Sequence, residues 1–359
     1  MAANTNFDAL SASTQRYYTQ DKFEDCVFEG VPLLKLLKAR KGVHRDWNGG
    51  EKIVVPTMEG TNSTVQSYEQ YEEIDTTAQD GMTAAFYEWR ELAGTIAISR
   101  REERQNSGEA QIMALLEQKV KQAEMSIREE VNAQLLRGTV SGATFVPGNS
   151  GKDLNPLGWF LRKDNTTDPT TGGNVGNIAG ATSTWWRHHT AVIDSGSTDT
   201  GNDFALAVTT YAGLKVAIRR LYNYCGRGSG GFPNLLIGDQ VSYETYENAL
   251  DVNIRFQNTK MADLGFDSIK VRGAEFIWDE LVPDIDNGTA AITAGTIFFL
   301  NTNFYKLVID SETDFVTTPF VEPENQTAKI AKVLFMANST VNNMRKHGVL
   351  YAISQSIVA

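Results

Sequence analysis

The clearest periodic signal lies between Gln105 and Arg137, where Ile112, Leu115, Leu116, Val120, Ala123, Ile127, Val131 and Leu135 recur at spacings of three and four. That spacing predicts one helix with one buried side. From Ser107 to Arg137 the rod would be roughly 46 Å long at about 1.5 Å per residue, longer than an ordinary globular helix. Gly138 is placed to stop it. Glu117 with Lys121 and Glu124 with Arg128 put acids four residues ahead of bases on the opposite, solvated face. Ser99 with Glu102 and Asn106 with Glu109 match capping boxes, and Gly108 falls just inside the second, so a short helical turn should precede the long helix. The stripe drifts and Lys119 interrupts it, which favours a rod laid on a sheet or a neighbouring subunit over a coiled coil.

Other patterns are shorter. Residues 1–25 are polar, with Phe7, Tyr17, Tyr18 and Phe23 but little periodicity, as in an arm that orders against another surface. Val31 to Arg40 is a short amphipathic helix with Pro32 in its first turn and Gly42 near its end. Lys52–Pro56 and Leu92–Ser99 read as strands. The long polar stretch between them has Val65, Tyr68 and Tyr71 on one extended side and a turn signal at Asp80-Gly81. It cannot bury enough apolar area alone, and a two-stranded arm lying on a partner is the preferred reading.

Residues 138–202 are rich in Gly, Thr, Ser and Asn, and Trp159, Phe160, Trp185 and Trp186 should anchor those loops in a core. Phe204 to Tyr222 reads as a helix capped by Asp203 and ended by GRGSGG. A strand at Leu235–Ile237, a helix opened by Asp239, and strands at Ser268–Arg272, Phe276–Trp278, Thr296–Asn301 and Lys306–Ile309 describe an α+β unit. Ala328–Ala337 and Val349–Ile353 read as a strand pair flanking the polar ANSTVNNMRKHG.

Composition narrows the function classes. The 359 residues carry 44 acidic against 33 basic side chains, a formal charge of -11, so close contact with nucleic acid would need a local basic patch. Cys26 and Cys225 are the two cysteines, too few for a disulfide scaffold. The N-terminus lacks a signal-peptide pattern and no apolar run of about 18 residues follows, so neither a membrane span nor export by that route is expected.

No chemistry-bearing constellation emerges, and no catalytic, cofactor-binding or metal residue is assigned. His188 and His189 are adjacent, which on a strand points them to opposite faces and suits a structural role; His44 and His347 are isolated. GNSGKD at 148–153 lacks the first glycine of a phosphate loop, where Val146 stands, and has Asp153 in place of Ser or Thr. GRGSGG at 226–231 follows a helix, whereas a dinucleotide fingerprint follows a strand. Acids such as Asp75, Asp80, Asp239, Glu244 and Glu247 suit capping and surface roles. Asn-x-Ser/Thr triplets at Asn62, Asn165, Asn287, Asn325 and Asn338 read as polar loop content. Arg100, Arg101 and Arg104 form a basic cluster suited to acidic groups of a neighbour.

The order of these segments resembles a tailed-bacteriophage major capsid protein of the HK97-like fold. Phrases that carry the likeness are SRREERQNSGEAQIMALLEQKV at 99–120, WWR at 185–187, NLLIGDQVSYETYE at 234–247, ADLGFDSIKVRGAEFIWDE at 262–280 and FFLNTNFYKLVI at 298–309. The resemblance implies an α+β fold with an N-terminal arm (1–30), a peripheral segment (31–49), an extended two-stranded loop (50–98), a spine helix of the peripheral domain (99–139), an axial domain (140–327) and returning peripheral strands (328–359). It implies a structural protein, not an enzyme and without cofactors, made in the bacterial host cytoplasm. Copies would assemble as hexamers and pentamers into an icosahedral virion head enclosing double-stranded DNA without sequence-specific binding. Portal and separate scaffolding proteins would be partners, with a decoration protein as a further one, and no membrane would be involved. With the arm beginning almost at Met1, a cleaved scaffold of the family's coiled-coil kind is not expected. Lys52 lies at the base of the loop, and no cross-linking asparagine is assigned. The alternatives are a cellular nanocompartment shell of the same fold and a soluble carbohydrate-binding or hydrolytic protein.

Overall fold

The computed structural model describes residues 32–47, 49–59, 62–78, 81–105, 115–141, 144–163, 174–194, 201–250, 269–286, 294–324, 327–354 and 357. The arm at 1–30, the capping box at Asn106, the helical pattern from 107 to 114, Asp80, Cys26, and the triplets at Asn165, Asn287 and Asn325 lie outside them.

Among the described residues, the helices longer than a single turn are α1 (Pro32–Ala39), α2 (Arg100–Gln105), α3 (Leu115–Leu136), α4 (Tyr211–Cys225) and α5 (Gln240–Ala249). The strands are β1 (Val43–Trp47), β2 (Lys52–Met58), β3 (Met82–Glu88), β4 (Arg90–Ser99), β5 (Thr139–Ser141), β6 (Thr144–Val146), β7 (His189–Val192) and β8 (Phe204–Ala205). They continue as β9 (Leu235–Gly238), β10 (Ile269–Val271), β11 (Ala274–Trp278), β12 (Gly295–Leu300), β13 (Tyr305–Asp310), β14 (Val316–Thr317), β15 (Ala328–Val341) and β16 (Gly348–Ile353).

A five-stranded sheet runs β1-β13-β15-β14, with β4 also paired to β15. Helix α3 lies on it. Ile127, Val131 and Leu135 are buried, Val120 and Ala123 half-buried, so the sequence stripe is the packing face. A Cβ built on Gly94 of β4 would sit 3.0 Å from the Ile127 Cδ1, so the glycine lets helix and strand approach closely. The expected ends form. Ser99 Oγ accepts from the Glu102 N–H and Glu102 Oε2 accepts from the Ser99 N–H, both at 3.2 Å, a reciprocal capping box opening α2. Lys119, the interruption in the stripe, donates to that Glu102 carboxylate at 3.3 Å and to the Ala97 carbonyl at 3.1 Å. Gly138 follows α3 at φ +58°, and a Cβ there would lie 2.5 Å from the Pro156 ring.

The second sheet has seven strands in the order β10-β11-β9-β12-β16-β7-β8. Alternate residues of its central strands serve two cores. Leu235, Ile237, Phe298 and Leu300 join the core beneath α3, whereas Leu236, Ile297 and Phe299 face α4 and α5. Trp186 and Phe160 are buried, and Trp159 and Trp185 pack against the first core, anchoring the glycine-rich loops as expected.

Three expectations are corrected. Residues 204–210 are not the first turns of a helix. Phe204–Ala205 pairs in parallel with β7, and α4 is capped by Thr210, whose side chain accepts from the Gly213 N–H. Asp203 instead binds the Thr190 N–H at 3.0 Å and His189 Nδ1 at 2.9 Å, so a distant strand has claimed the capping residue. Next, 328–337 and 349–353 do not pair: β15 runs on to Val341 in the first sheet, and β16 sits in the second between β12 and β7. Finally, Asn338 is not loop content. It is fully buried within β15. Sheet membership also does not change at 327, because β13 and β14 belong to the first sheet and β16 to the second.

Candidate functional site

The hairpin β2–β3 buries one face in the first core, whereas the excursion 62–78 beyond it is almost wholly exposed. The strands pair antiparallel from Lys52–Glu88 to Met58–Met82 and form a sheet of two. Register divides the ribbon into two faces. Ile53 pairs with Tyr87 and Val55 with Ala85 on the buried face; Val54 with Phe86, Pro56 with Ala84 and Met58 with Met82 form the other. Met58 is 78% exposed and Met82 77%.

Three contacts seat the base on the subunit and a fourth closes the ribbon across its own ends. Tyr87 Oη donates to the Val341 carbonyl at 2.9 Å, the Phe86 N–H to the Gly176 carbonyl at 3.0 Å and Trp89 Nε1 to the Gly50 carbonyl at 3.0 Å. Asn338 Nδ2 donates to the Glu88 carbonyl at 2.6 Å, while its Oδ1 accepts from the Asn155 and Ser339 N–H groups. Burial raises the Tyr87 phenol well above its usual range, so it stays a neutral donor. Gly176, at φ +60°, lets the ribbon approach: a Cβ there would lie 2.7 Å from the Ala85 Cβ. The sequence reading missed Asn338 and Gly176. The available signal was a polar ANST run inside an apolar strand pattern.

Past the ribbon, Val65, Tyr68, Tyr71 and Ile74 recur at every third position and all are exposed, Tyr71 at 94%. Asn62 and Asp75 each accept from the backbone N–H and the hydroxyl two residues on, at Thr64 and Thr77, which shapes the excursion locally. Between Lys52 and Arg90 the sequence has acids, including Glu69, Glu72, Glu73 and Asp75, and no base. The tip is therefore an acidic, aromatic strip in water. A two-stranded ribbon with an exposed apolar face is marginal alone and calls for a cover.

An open groove of about 580 Å³ lies elsewhere on the first sheet, between α1, β1, β13 and α3. Leu34, Val131, Leu307 and Phe335 line its floor, and Lys35, Lys38, Arg45 and Arg128 its rim, with Glu129 and Asp314 among them. Arg128 lies over the Phe315 ring at 5.4 Å, and Arg45 pairs with Asp314 at 3.1 Å.

The residues weighed for chemistry are held structurally. His188 Nε2 donates to the Arg162 carbonyl at 2.7 Å, and His189 is turned to Asp203, so the adjacent histidines diverge. His347 is fully buried, with the Asn301 N–H donating to its Nδ1 at 3.3 Å. Burial lowers the pKa of His188 to about 4 and of His347 to about 3. Asn149 and Ser150 of GNSGKD have positive φ in a short turn at Gly148–Gly151. Asp239 caps α5 and also accepts from the Thr296 N–H and the Ser242 hydroxyl. The Cys225 thiol is buried and its pKa raised. Among the described residues, no group of three His, Cys, Asp or Glu could hold a metal, and no helix is long and apolar enough to cross a membrane.

No family model and no curated protein matches this sequence. Solved structures match over nearly the whole chain. A cyanophage A-1(L) capsid subunit has a TM-score of 0.64 at 14% identity, covering 94% of this chain and 97% of its own. The capsid of a native GTA particle scores 0.57 at 13% identity, covering 98% and 100%. The holo-SrpI encapsulin complex from Synechococcus elongatus scores 0.56 at 9% identity, covering 100% and 99%. The chain has the HK97-like capsid fold.

Proposed function

We propose that this chain, which has the HK97-like fold, is the major capsid protein of a tailed phage. It acts by assembly: copies associate as hexamers and pentamers into an icosahedral head around double-stranded DNA. The five-stranded sheet with α3 would be the peripheral domain and the seven-stranded sheet with α4 and α5 the axial domain. The observation that carries the reading is the hairpin, seated at its base by three hydrogen bonds to the rest of the subunit and bare beyond it. A closed symmetric assembly covers such an element once per copy. The groove between α1 and α3 offers the complementary chemistry, an apolar floor and a largely basic rim for an acidic, aromatic strip. Portal, scaffolding and decoration proteins belong to this reading as partners, and the virion is its location.

The encapsulin likeness favours a second reading, a nanocompartment shell that encloses protein. Electron microscopy of the expressed full chain, alone and with its genomic neighbours, tests both. Closed shells are expected. Nuclease-protected DNA inside supports the phage reading and a single enclosed enzyme the nanocompartment; a homogeneous monomer with residues 50–98 folded into a closed core refutes both.

A further inference from the structure

The outer face of α4 is basic in an otherwise acidic molecule. From Phe204 to Gly238 the sequence holds Lys215, Arg219, Arg220 and Arg227 and no acid. Arg219, Arg220 and Asn223 are exposed and Lys215 half-buried on one face of α4, and Arg227 is exposed just past its end. Arg272, exposed in the turn between β10 and β11, joins them by donating to Asn223 Oδ1 at 2.8 Å. Among the described residues none of these five bases lies within ion-pair distance of a carboxylate. The arginines cluster differently at α2, where Glu102 and Glu103 lie between them.

Two guanidiniums are held in place by aromatic rings. The Arg220 Cζ lies 4.7 Å from the Phe204 ring centroid and the Arg227 Cζ 3.7 Å from that of Tyr224. Stacking fixes the charge without neutralising it, so less side-chain entropy is lost when an anion arrives.

We propose that this face of α4 binds the phosphate backbone of double-stranded DNA without reading its sequence. The alternative occupant, an acidic surface of a second copy, fits less well. The acidic tip at 65–74 carries four large apolar side chains and needs an apolar floor, whereas Val216 is the large apolar side chain exposed on α4. A convex cationic rod suits a polyanion. Lys215 to Asn223 spans about 12 Å of helix, enough to meet on the order of four phosphates at about 3.4 Å of axis per phosphate on one strand. The inference stands on the charge of this face and does not require the shell reading.

The test is fluorescence anisotropy of a labelled 30-bp duplex of arbitrary sequence with the full chain in its unassembled fraction. With about four phosphates neutralised, affinity should fall about a hundredfold between 50 and 200 mM salt. The Lys215→Gln/Arg219→Gln variant should bind more weakly and show a salt slope shallower by about 2, while Arg101→Gln/Arg104→Gln keeps the parent's slope. Circular dichroism and the urea midpoint establish that each variant is folded. No duplex binding by the parent at 50 mM salt overturns the proposal, as does an unchanged slope in the first variant. Loss of self-association with unaltered DNA affinity also overturns it and assigns the face to contacts between copies. Shell formation, scored separately by microscopy, leaves this result untouched.

Discussion

Replacing Ile127 with Asp tests whether α3 is held by its apolar stripe. Ile127 is 5% exposed and meets β4 at Gly94, where no side chain intervenes. Ile127→Ala alone removes three carbons, about 2.4 kcal/mol at about 0.8 kcal/mol each. The cavity left against a glycine cannot be filled by a neighbouring Cβ, so the loss should reach about 3–4 kcal/mol. Asp adds a carboxylate beside Ala123, Val131 and Ile96. The nearest bases are engaged, Lys119 with Glu102 and Arg128 with Glu124 and Phe315. An unpaired buried charge raises the total above about 5 kcal/mol, which rivals the whole stability of a typical domain, about 5–15 kcal/mol. Soluble yield and the urea midpoint of the subunit are the assays, with Lys121→Ala as the exposed control, expected within about 0.5 kcal/mol of the parent. An Ile127→Asp subunit with the parent's midpoint and yield would refute the assignment of the buried face.

Three further outcomes are expected. Gly138→Ala should cost about 2–4 kcal/mol, because φ is +58° and the new Cβ meets Pro156, whereas Gly228→Ala at φ +81° has open space and should cost about 1 kcal/mol; equal urea midpoints would contradict this. Replacing Tyr68, Tyr71 and Ile74 together with Ser should leave subunit stability within about 0.5 kcal/mol yet reduce shell yield in negative stain, and parent-level assembly would argue against the tip as a contact. Acidification should destabilise the subunit through His188 and His347, whose folded pKa values of about 4 and about 3 lie below the unfolded value, so the unfolded chain takes up protons first. Their contribution is complete above about pH 6.5 and is lost as the pH falls toward 4 for His188 and toward 3 for His347. Buried Asp239 and Asp279, with raised carboxyl pKa values, act in the opposite direction, so the comparison is with His188→Gln, whose amide can still donate to the Arg162 carbonyl. Its urea midpoint should fall less between pH 6.5 and 4 than the parent's, and identical pH profiles would remove His188 from the account.

Legibility followed the range of the interaction. Ser99 with Glu102, Pro32 at the start of α1, Gly138 after α3 and Asp239 before α5 were readable because donor and acceptor lie within a few residues of one another. Asp203 had the same local signature, an acid before an apolar run, and was outbid by His189 and Thr190, thirteen residues or more upstream. Val65, Tyr68 and Tyr71, exposed in the structure, already stood out in the sequence as one extended side of a polar stretch. The groove on the first sheet brings α1, β1, α3 and β13 together and had no local trace.

By itself the sequence determined the helices, most of their ends though not the start of α4, and most strands, since periodicity and capping are local properties. Tertiary structure decided which strands are neighbours. It separated β16 from β15, buried Asn338 under the hairpin base and turned Lys119 from an interruption into the anchor of a capping box. The reason is physical: strand pairing is made by backbone groups that are the same at every residue, so its choice of partner is settled by the packing of distant side chains.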